Sequence, residues 1–418
     1  MMTAYMGAGD GMRENIQTVD GPINQAVISK IEQEILRRFG SAKATSYVWI
    51  FANANGFVAK VTVDGEAYLL KVGRFDSESQ PEPIDLQLTQ QVMSSYEFHA
   101  VELPDQGIKL AFTWQPYYPG MNYRQVLERV SAESATSGIR YKMALEAIFS
   151  VSLLHHINVV HCDLKPENII FLDDDPYDKE AVLVDFDTAS HCKNGQSFQL
   201  RQDEALRGTE PYIAPEVFIE KRYSMQSDIY ALCVMLAVDF NFLPELLAPK
   251  RRSAEVWRLN QASEQSSLTL AQQMILEDGL SPDPERRPTL QQLADAVISI
   301  ATQDGAYDQQ QSLALVERYS EMQSLLALLK SSKPNQKIPL DYSFSQRCEC
   351  LALQAAIRNK KKLGLFAPEN PMLTTLRKNG WLDTKRQVTK LAPKAFLLAW
   401  DRLHNKYQTR FANLLADL

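Results

Sequence analysis

Cysteine is scarce. Five residues in 418 (Cys162, Cys192, Cys233, Cys348 and Cys350) are an odd number scattered along a long chain, which excludes a disulfide framework. The six histidines form no spaced cluster with them, so a structural zinc site is not expected. Cys348 and Cys350 read as neighbours within a helical segment. With 17 Gly and 20 Pro, the chain is too poor in both for a collagen-like or low-complexity protein. No apolar run approaches the ~20 residues that cross a bilayer, so no transmembrane segment is expected. Residues 1–20 lack a basic region followed by an apolar run, which argues against a cleavable signal. Met2 stands where myristoylation needs glycine, and Ala416-Asp417-Leu418 offers no cysteine for prenylation. A soluble, cytoplasmic protein of a reducing compartment is the expectation.

What is present is ordinary globular composition: 45% apolar, 23% charged and 9% aromatic residues. At ~150 residues per domain, the length suggests two or three domains. The formal net charge of −7 conceals an asymmetry. Residues 330–418 hold 17 Lys/Arg against 6 Asp/Glu, a net of +11, whereas residues 1–329 hold 27 against 45, a net of −18. An acidic body carries a basic tail.

Along the chain, Ile23 to Phe39 has apolar residues at helical spacing, with Gly40 as a stop. From Tyr47 to Val72 the pattern becomes short β-type runs, and Asp64-Gly65 reads as a hairpin turn. A helix is expected over Ile84 to Ser95, then strands over Glu97 to Leu103 and Ile108 to Trp114. Beyond Pro116 the pattern is mainly helical, interrupted by loops and strands from Val159 to about Pro215. Thr302 to Gln311 reads as a linker, followed by periodic helices over Leu313 to Lys330 and Phe396 to Leu418.

The chemistry concentrates in His161-Cys162-Asp163-Leu164-Lys165-Pro166-Glu167-Asn168-Ile169-Ile170. Val184-Asp185-Phe186-Asp187 follows, then Gly208-Thr209 leading to Ala214-Pro215-Glu216, Ser227-Asp228-Ile229-Tyr230, and Asp283-Pro284-Glu285-Arg286-Arg287-Pro288-Thr289. In these residues the chain resembles the eukaryotic-type serine/threonine protein kinase family, over roughly residues 45–301 and by several motifs in the family's order. The resemblance implies an α+β, bilobal protein-kinase-like fold, a small β-rich N-lobe and a helical C-lobe, followed by an added α-helical C-terminal domain. The expected divisions are an N-terminal extension with one helix (1–44), the N-lobe (45–116), the C-lobe (117–303) and a basic helical accessory domain (304–418).

The same resemblance implies ATP with Mg²⁺, or Mn²⁺, as cofactors and a protein hydroxyl as acceptor. Asp163 would orient that hydroxyl, and Lys165 would sit beside the transferred phosphoryl group. Asn168 and Asp185 would be the metal ligands, hard oxygen donors of the kind Mg²⁺ takes. Lys71, 92 residues before Asp163, would contact the α- and β-phosphates. Gly56 would lie in the phosphate-covering loop, Val58 above the adenine and Ile170 below it. Pro116 and Tyr118 would supply the hinge carbonyl and N–H. Glu216 with Arg287 would form a buried ion pair, and Asp228 would brace the catalytic loop.

Several departures stand out. Phe51 to Val58 contains one glycine where the family has three. Cys162 replaces the arginine that in many members receives a phosphate on the activation segment. Asp187 replaces the glycine of Asp-Phe-Gly, either as a third carboxylate on the metal side or as a partner for its own loop. The helix glutamate that pairs with the strand lysine is unassigned among Glu82, Asp85 and Glu97. These departures motivate two rival readings, a pseudokinase scaffold and a kinase-fold enzyme acting on a lipid or small molecule.

In the tail, Phe396, Trp400, Leu403, Tyr407, Phe411, Leu414 and Leu418 share a helical stripe that reads as core-facing. Arg358-Asn359-Lys360-Lys361-Lys362, Arg377-Lys378, Lys385-Arg386, Arg402, Lys406 and Arg410 supply the positive charge. A solvated face is the bland reading. The sharper ones are an anionic phospholipid or inositol phosphate, which is favoured, an acidic protein partner, or docking of the tail on the acidic body. Nucleic acid is disfavoured because no recognition motif accompanies the charge. A kinase-like region with an unfamiliar tail also parallels bacterial effectors delivered into host cells.

Overall fold

The computed structural model describes residues 25–40, 44–53, 56–76, 86–93, 95–104, 107–132, 137–172, 180–192, 197–239, 270–303, 309–331, 340–360, 371–383 and 388–402. Two compact units divide the chain, Met1–Pro119 and Gly120–Leu418.

The first unit runs α1 (Gln25–Phe39), β1 (Ala44–Asn53), β2 (Gly56–Val63), β3 (Glu66–Asp76), α2 (Leu86–Val92), β4 (Glu97–Leu103) and β5 (Ile108–Pro116). Its strands form one antiparallel sheet in the order β1-β2-β3-β5-β4. Asp64 and Gly65 both take positive φ (51° and 86°), the conformation of a two-residue hairpin turn that matches strand twist. Along β2, Phe57, Ala59, Val61 and Val63 are buried while their neighbours are not, the period of a one-sided strand. They share a core with Leu70, Val72, Leu110, Phe112 and Trp114, and Ile31 and Ile35 of α1 belong to the same cluster. The N-terminal helix thus covers one face of the sheet.

A carboxylate sits inside that packing. Glu34, 3% exposed, accepts bonds from Trp114 Nε1 at 3.2 Å and from Arg37 Nε and Nη2, both at 2.8 Å, and contacts His99 Nδ1 at 2.9 Å. Burial pushes its pKa up, but the bonds from Arg37 and Trp114 outweigh this and hold the carboxyl below its ordinary value. Glu97, at the start of β4, pairs with Arg37 and Arg38. The expected helix over 84–95 is described only from Leu86 to Val92, a stretch with no Asp or Glu. Glu82 and Asp85 lie outside the described residues.

The second unit begins with β6 (Gly120–Asn122), α3 (Tyr123–Ala132), α4 (Ser137–His156), β7 (Val159–Val160), β8 (Ile169–Leu172), β9 (Ala181–Leu183) and β10 (Ser190–His191). It continues with β11 (Phe198–Gln199), α5 (Pro215–Glu220), β12 (Arg222–Tyr223), α6 (Met225–Asp239), α7 (Leu270–Gly279) and α8 (Leu290–Gln303). Then come α9 (Gln309–Ser331), α10 (Phe344–Lys360), α11 (Pro371–Lys378) and a helix at 394–402. Residues 229–237 of α6 are all buried, as expected of a helix that is apolar all round. Helix α4 packs against α6, α8 and α9.

Gln309 to Gln311, expected as linker, form the first turn of α9. Glutamine is a good helix former, so the run continues the helix although its side chains are exposed. In the tail, Trp381 and Phe396 are fully buried with ring centroids 5.1 Å apart, and Phe396 stacks on Trp400 at 6.0 Å. Leu403 to Leu418 lie outside the described residues. No described helix is long and apolar enough to cross a membrane.

Candidate active site

In the first unit, Val58 pairs with Lys71 and Lys71 with Thr113, so these three side chains leave one face of the sheet. It is the face opposite α1, because the intervening residues Leu70, Phe112 and Trp114 point into the covered core. Gly56 opens β2 at φ 155°, and a Cβ there would lie 2.2 Å from the Val72 carbonyl oxygen. Close approach of β3 therefore demands glycine at 56, whatever else the loop holds. Pro116 ends β5 opposite Tyr68, and the Tyr117 N–H bonds the Ala67 carbonyl at 3.4 Å. Tyr118 follows directly. Beside them sequence reasoning missed Gln115, which pairs with Leu69 on the Lys71 side; it is 2% exposed and its Nε2 has no partner. An amide among strand residues gives no warning that it will be buried.

In the second unit the residues expected to form the catalytic loop converge. Lys165 Nζ donates to Asp163 Oδ2 at 2.7 Å and to Thr209 Oγ1 at 2.9 Å, and the Thr209 hydroxyl donates to Asp163 Oδ1 at 2.7 Å. Asn168 is buried, and its Nδ2 donates to the Asp163 carbonyl at 2.7 Å. That bond leaves Oδ1 as the end of the amide with ligand character. The Asn168 carbonyl in turn accepts from Val184 N–H at 3.0 Å, which ties the catalytic loop to the end of β9. Asp185 follows in the left-handed region (φ 66°, ψ 59°) and caps a 3₁₀ turn, Phe186–Thr188, that contains Asp187. Ile170 lies on β8, between Asn122 and Val182. Phe186 is fully buried against the His161 ring, whose Nε2 lies 3.0 Å from the Val184 carbonyl.

Asp228 anchors this loop from below. It is 2% exposed and accepts from the backbone N–H groups of His161 (2.9 Å) and Cys162 (3.2 Å), with His155 Nε2 at 3.0 Å. Glu216 and Arg287 form a bidentate buried pair at 2.7 and 2.6 Å. Arg124 bonds Glu167 at 2.6 Å and the Tyr212 hydroxyl at 3.2 Å, joining α3 to the catalytic loop and to the Gly208–Glu216 segment.

Position 162 holds a buried thiol at φ 67°. Burial pushes its pKa well up, the Asp228 charge adds to this, and Arg207 opposes both. Arg207 is the residue sequence reasoning missed here. It is 9% exposed, with Nη1 on Ser190 Oγ at 2.6 Å and its guanidinium 5.4 and 5.9 Å from the Phe198 and Tyr223 rings. Tyr223 accepts from the Arg207 N–H at 2.7 Å and donates to its carbonyl at 2.9 Å. The segment before Gly208 is thus held by its own cation.

A family model for the protein kinase domain matches residues 114–298, which include all of these second-unit groups. Residues 114–298 are thus similar to the protein kinase domain. It is 27% identical over 175 residues to a calcium/calmodulin-dependent serine/threonine-protein kinase of Malus domestica, covering 40% of this chain and 39% of that protein. It is 27% identical over 147 residues to the human serine/threonine-protein kinase DCLK3 (34% and 22%). With rat mitogen-activated protein kinase kinase kinase 8 the identity is 40% over 86 residues (20% and 16%). The chain therefore spans well under half the length of these relatives, and it departs from the kinase pattern in the residues noted above.

Among the described residues no three His, Cys, Asp or Glu side chains cluster as a protein-only metal cage. The donor set fits the alternative, a hard cation held by Asn168 Oδ1 and Asp185 and completed by phosphate oxygens and water.

Proposed function

We propose that the chain is an ATP- and Mg²⁺-dependent protein kinase that phosphorylates serine or threonine hydroxyls of a protein substrate. The observation that carries this reading is the closed triangle of Asp163, Lys165 and Thr209, with Asn168 fastened to the Asp163 carbonyl. Asp163 is supported on both oxygens, so its carboxylate is aimed before an acceptor hydroxyl arrives and can take that hydroxyl's proton. Lys165 lies within reach of the same acceptor and neutralises charge on the phosphoryl group in flight. Lys71, with Val58 on the same sheet face, would hold the phosphates, and the hinge backbone at Pro116 and Tyr118 would meet the adenine. Asn168 and Asp185 would hold the metal, which neutralises the triphosphate. The shared Lys165–Thr209 contact supports serine/threonine rather than tyrosine acceptors.

Transfer of labelled γ-phosphate to a generic protein substrate tests the reading. Asp163→Ala and Asp185→Ala are each expected to lower the rate by about 10² or more, and equal incorporation by wild type and variants would refute it. The net charge of +11 over residues 330–418 supports a further reading of the tail as a site for an anionic phospholipid or inositol phosphate. Flotation with vesicles that contain or lack phosphoinositide tests it; recovery indifferent to lipid charge would dismiss it.

A further inference from the structure

The kinase match ends at residue 298, yet the strand that leads to Asp185 is anchored from beyond that point. Glu146 on α4 is 1% exposed. Its Oε1 accepts from Nε and Nη2 of Arg318 on α9 at 3.0 and 2.9 Å, and its Oε2 accepts from the N–H of Ala181, the first residue of β9, at 3.3 Å. Arg318 Nη2 also donates to Glu180 at 3.0 Å. Glu180 accepts in addition from the N–H and hydroxyl of Ser345, in the first turn of α10, at 2.8 and 2.7 Å. The Phe344 ring centroid lies 4.0 Å from the guanidinium carbon.

One cation therefore serves two carboxylates at the start of β9. Burial pushes the Glu146 pKa up, while the Arg318 charge pulls it down. Burial acts in the same upward sense on Glu180, but Arg318 and Ser345 outweigh it and hold that carboxyl below its ordinary value. Without Arg318 the two acids repel, and buried Glu146 loses the cation bonded to it and keeps only the Lys142 charge nearby. Strand β9 has three residues, all buried and paired with β8, and the Glu146–Arg318–Glu180 group is the charged anchor at its first residue. Asp185 stands four residues after Ala181, about 13 Å of extended chain, too short a path to absorb a displacement at its origin.

We propose that the C-terminal extension is a brace for the metal-side loop: Arg318, with Ser345, fixes the start of β9 and so positions Asp185. The proposal rests on the kinase reading above. Arg318 touches no substrate; it is a positioning residue, and the tail's first task is performed within the fold.

The full-length chain with Arg318→Met tests this. Loss of an outer-shell support is expected to raise the Mg²⁺ concentration for half-maximal transfer by about 10-fold or more, with the KM for protein substrate within about twofold. Backbone amides of 181–185 are expected to exchange with solvent about 10-fold faster or more, while those of 225–237 in α6 keep their rates. Arg318→Lys, which keeps the charge but cannot bridge both acids, should fall between. Lys394→Met, at an exposed pair with Glu317 on the same extension, should change neither readout. If Arg318→Met does not fold, Ser345→Ala reports the same exchange from the other partner of Glu180. A metal requirement and exchange rates within about twofold of wild type would overturn the brace. A wild-type chain that transfers no phosphoryl group would instead sink the kinase reading, and amide exchange would then decide the brace alone.

Discussion

Removing Glu216 should strand a buried cation. The Arg287 side chain is 0% exposed and that of Glu216 4%, and their two bonds are 2.7 and 2.6 Å long. Arg287 also donates from Nε to the Ser281 carbonyl at 3.0 Å and from Nη1 to the Gln226 carbonyl at 2.8 Å, and Ser227 donates to Glu216 at 2.9 Å. After Glu216→Ala those carbonyls remain, but no negative charge faces the guanidinium. Breaking a buried pair from one side costs about 3–5 kcal/mol. For a folding unit of this size, about 2–4 °C is lost per kcal/mol, so a fall of roughly 6–20 °C is expected. Arg287→Met should cost a comparable amount. The double variant removes both charges, so its loss should fall short of the sum by about 2 kcal/mol or more. Thermal melts followed by circular dichroism, with urea titrations of all four proteins, measure the cycle. A Glu216→Ala loss below about 1 kcal/mol, or additive single losses, would refute the account of this pair as a mutually dependent buried unit.

Three further outcomes follow from the structure. Arg207→Met should loosen residues 197–210 and speed their limited proteolysis by about 10-fold, whereas phosphatase treatment of the wild type should leave that rate unchanged; phosphatase sensitivity would contradict an internally held segment. Burial pushes the Cys192 thiol to about 11 and the Cys233 thiol to about 12, so at pH 8 a disulfide reagent should react rapidly with Cys350 at most. Fast titration of all five thiols in the native state would contradict the burial described. Glu34 has a folded pKa below its ordinary 4.5, so its contribution is complete above that value and is lost as pH falls through the lowered one. Glu34→Gln should therefore flatten the acid limb of urea stability between pH 5 and 3, and a parallel limb would refute the assignment.

The polar loop was legible in the sequence because its residues are contiguous, from Asp163 to Asn168, and the structure brings Asp163, Lys165 and Asn168 into contact. The hairpin at Asp64-Gly65 was legible because its turn geometry restricts which residues fit. Helix α1 was readable from its apolar period, but its place on the sheet was not. Glu34 interrupts that face with a charge, and its partners Trp114 and His99 are 80 and 65 residues away. Arg207 and Arg318 were invisible for the same reason: a surface arginine and a buried, bridging one have the same local sequence. The net charge of +11 over residues 330–418 counts buried and exposed cations alike. Arg347 is fully buried, with burial pushing its pKa down to about 10, and so adds nothing to a surface patch. Lys361, Lys362, Lys385, Arg386, Lys406 and Arg410 lie outside the described residues.

The thiol at 162 and the guanidinium of Arg207 line the same small cavity of about 20 Å³. Cys162→Arg would force a second positive charge and several extra heavy atoms into a space with room for about one water molecule. Overpacking and like-charge repulsion then penalise that variant unless Arg207 changes too. Positions 162 and 207 are therefore coupled: this space has room for one arginine.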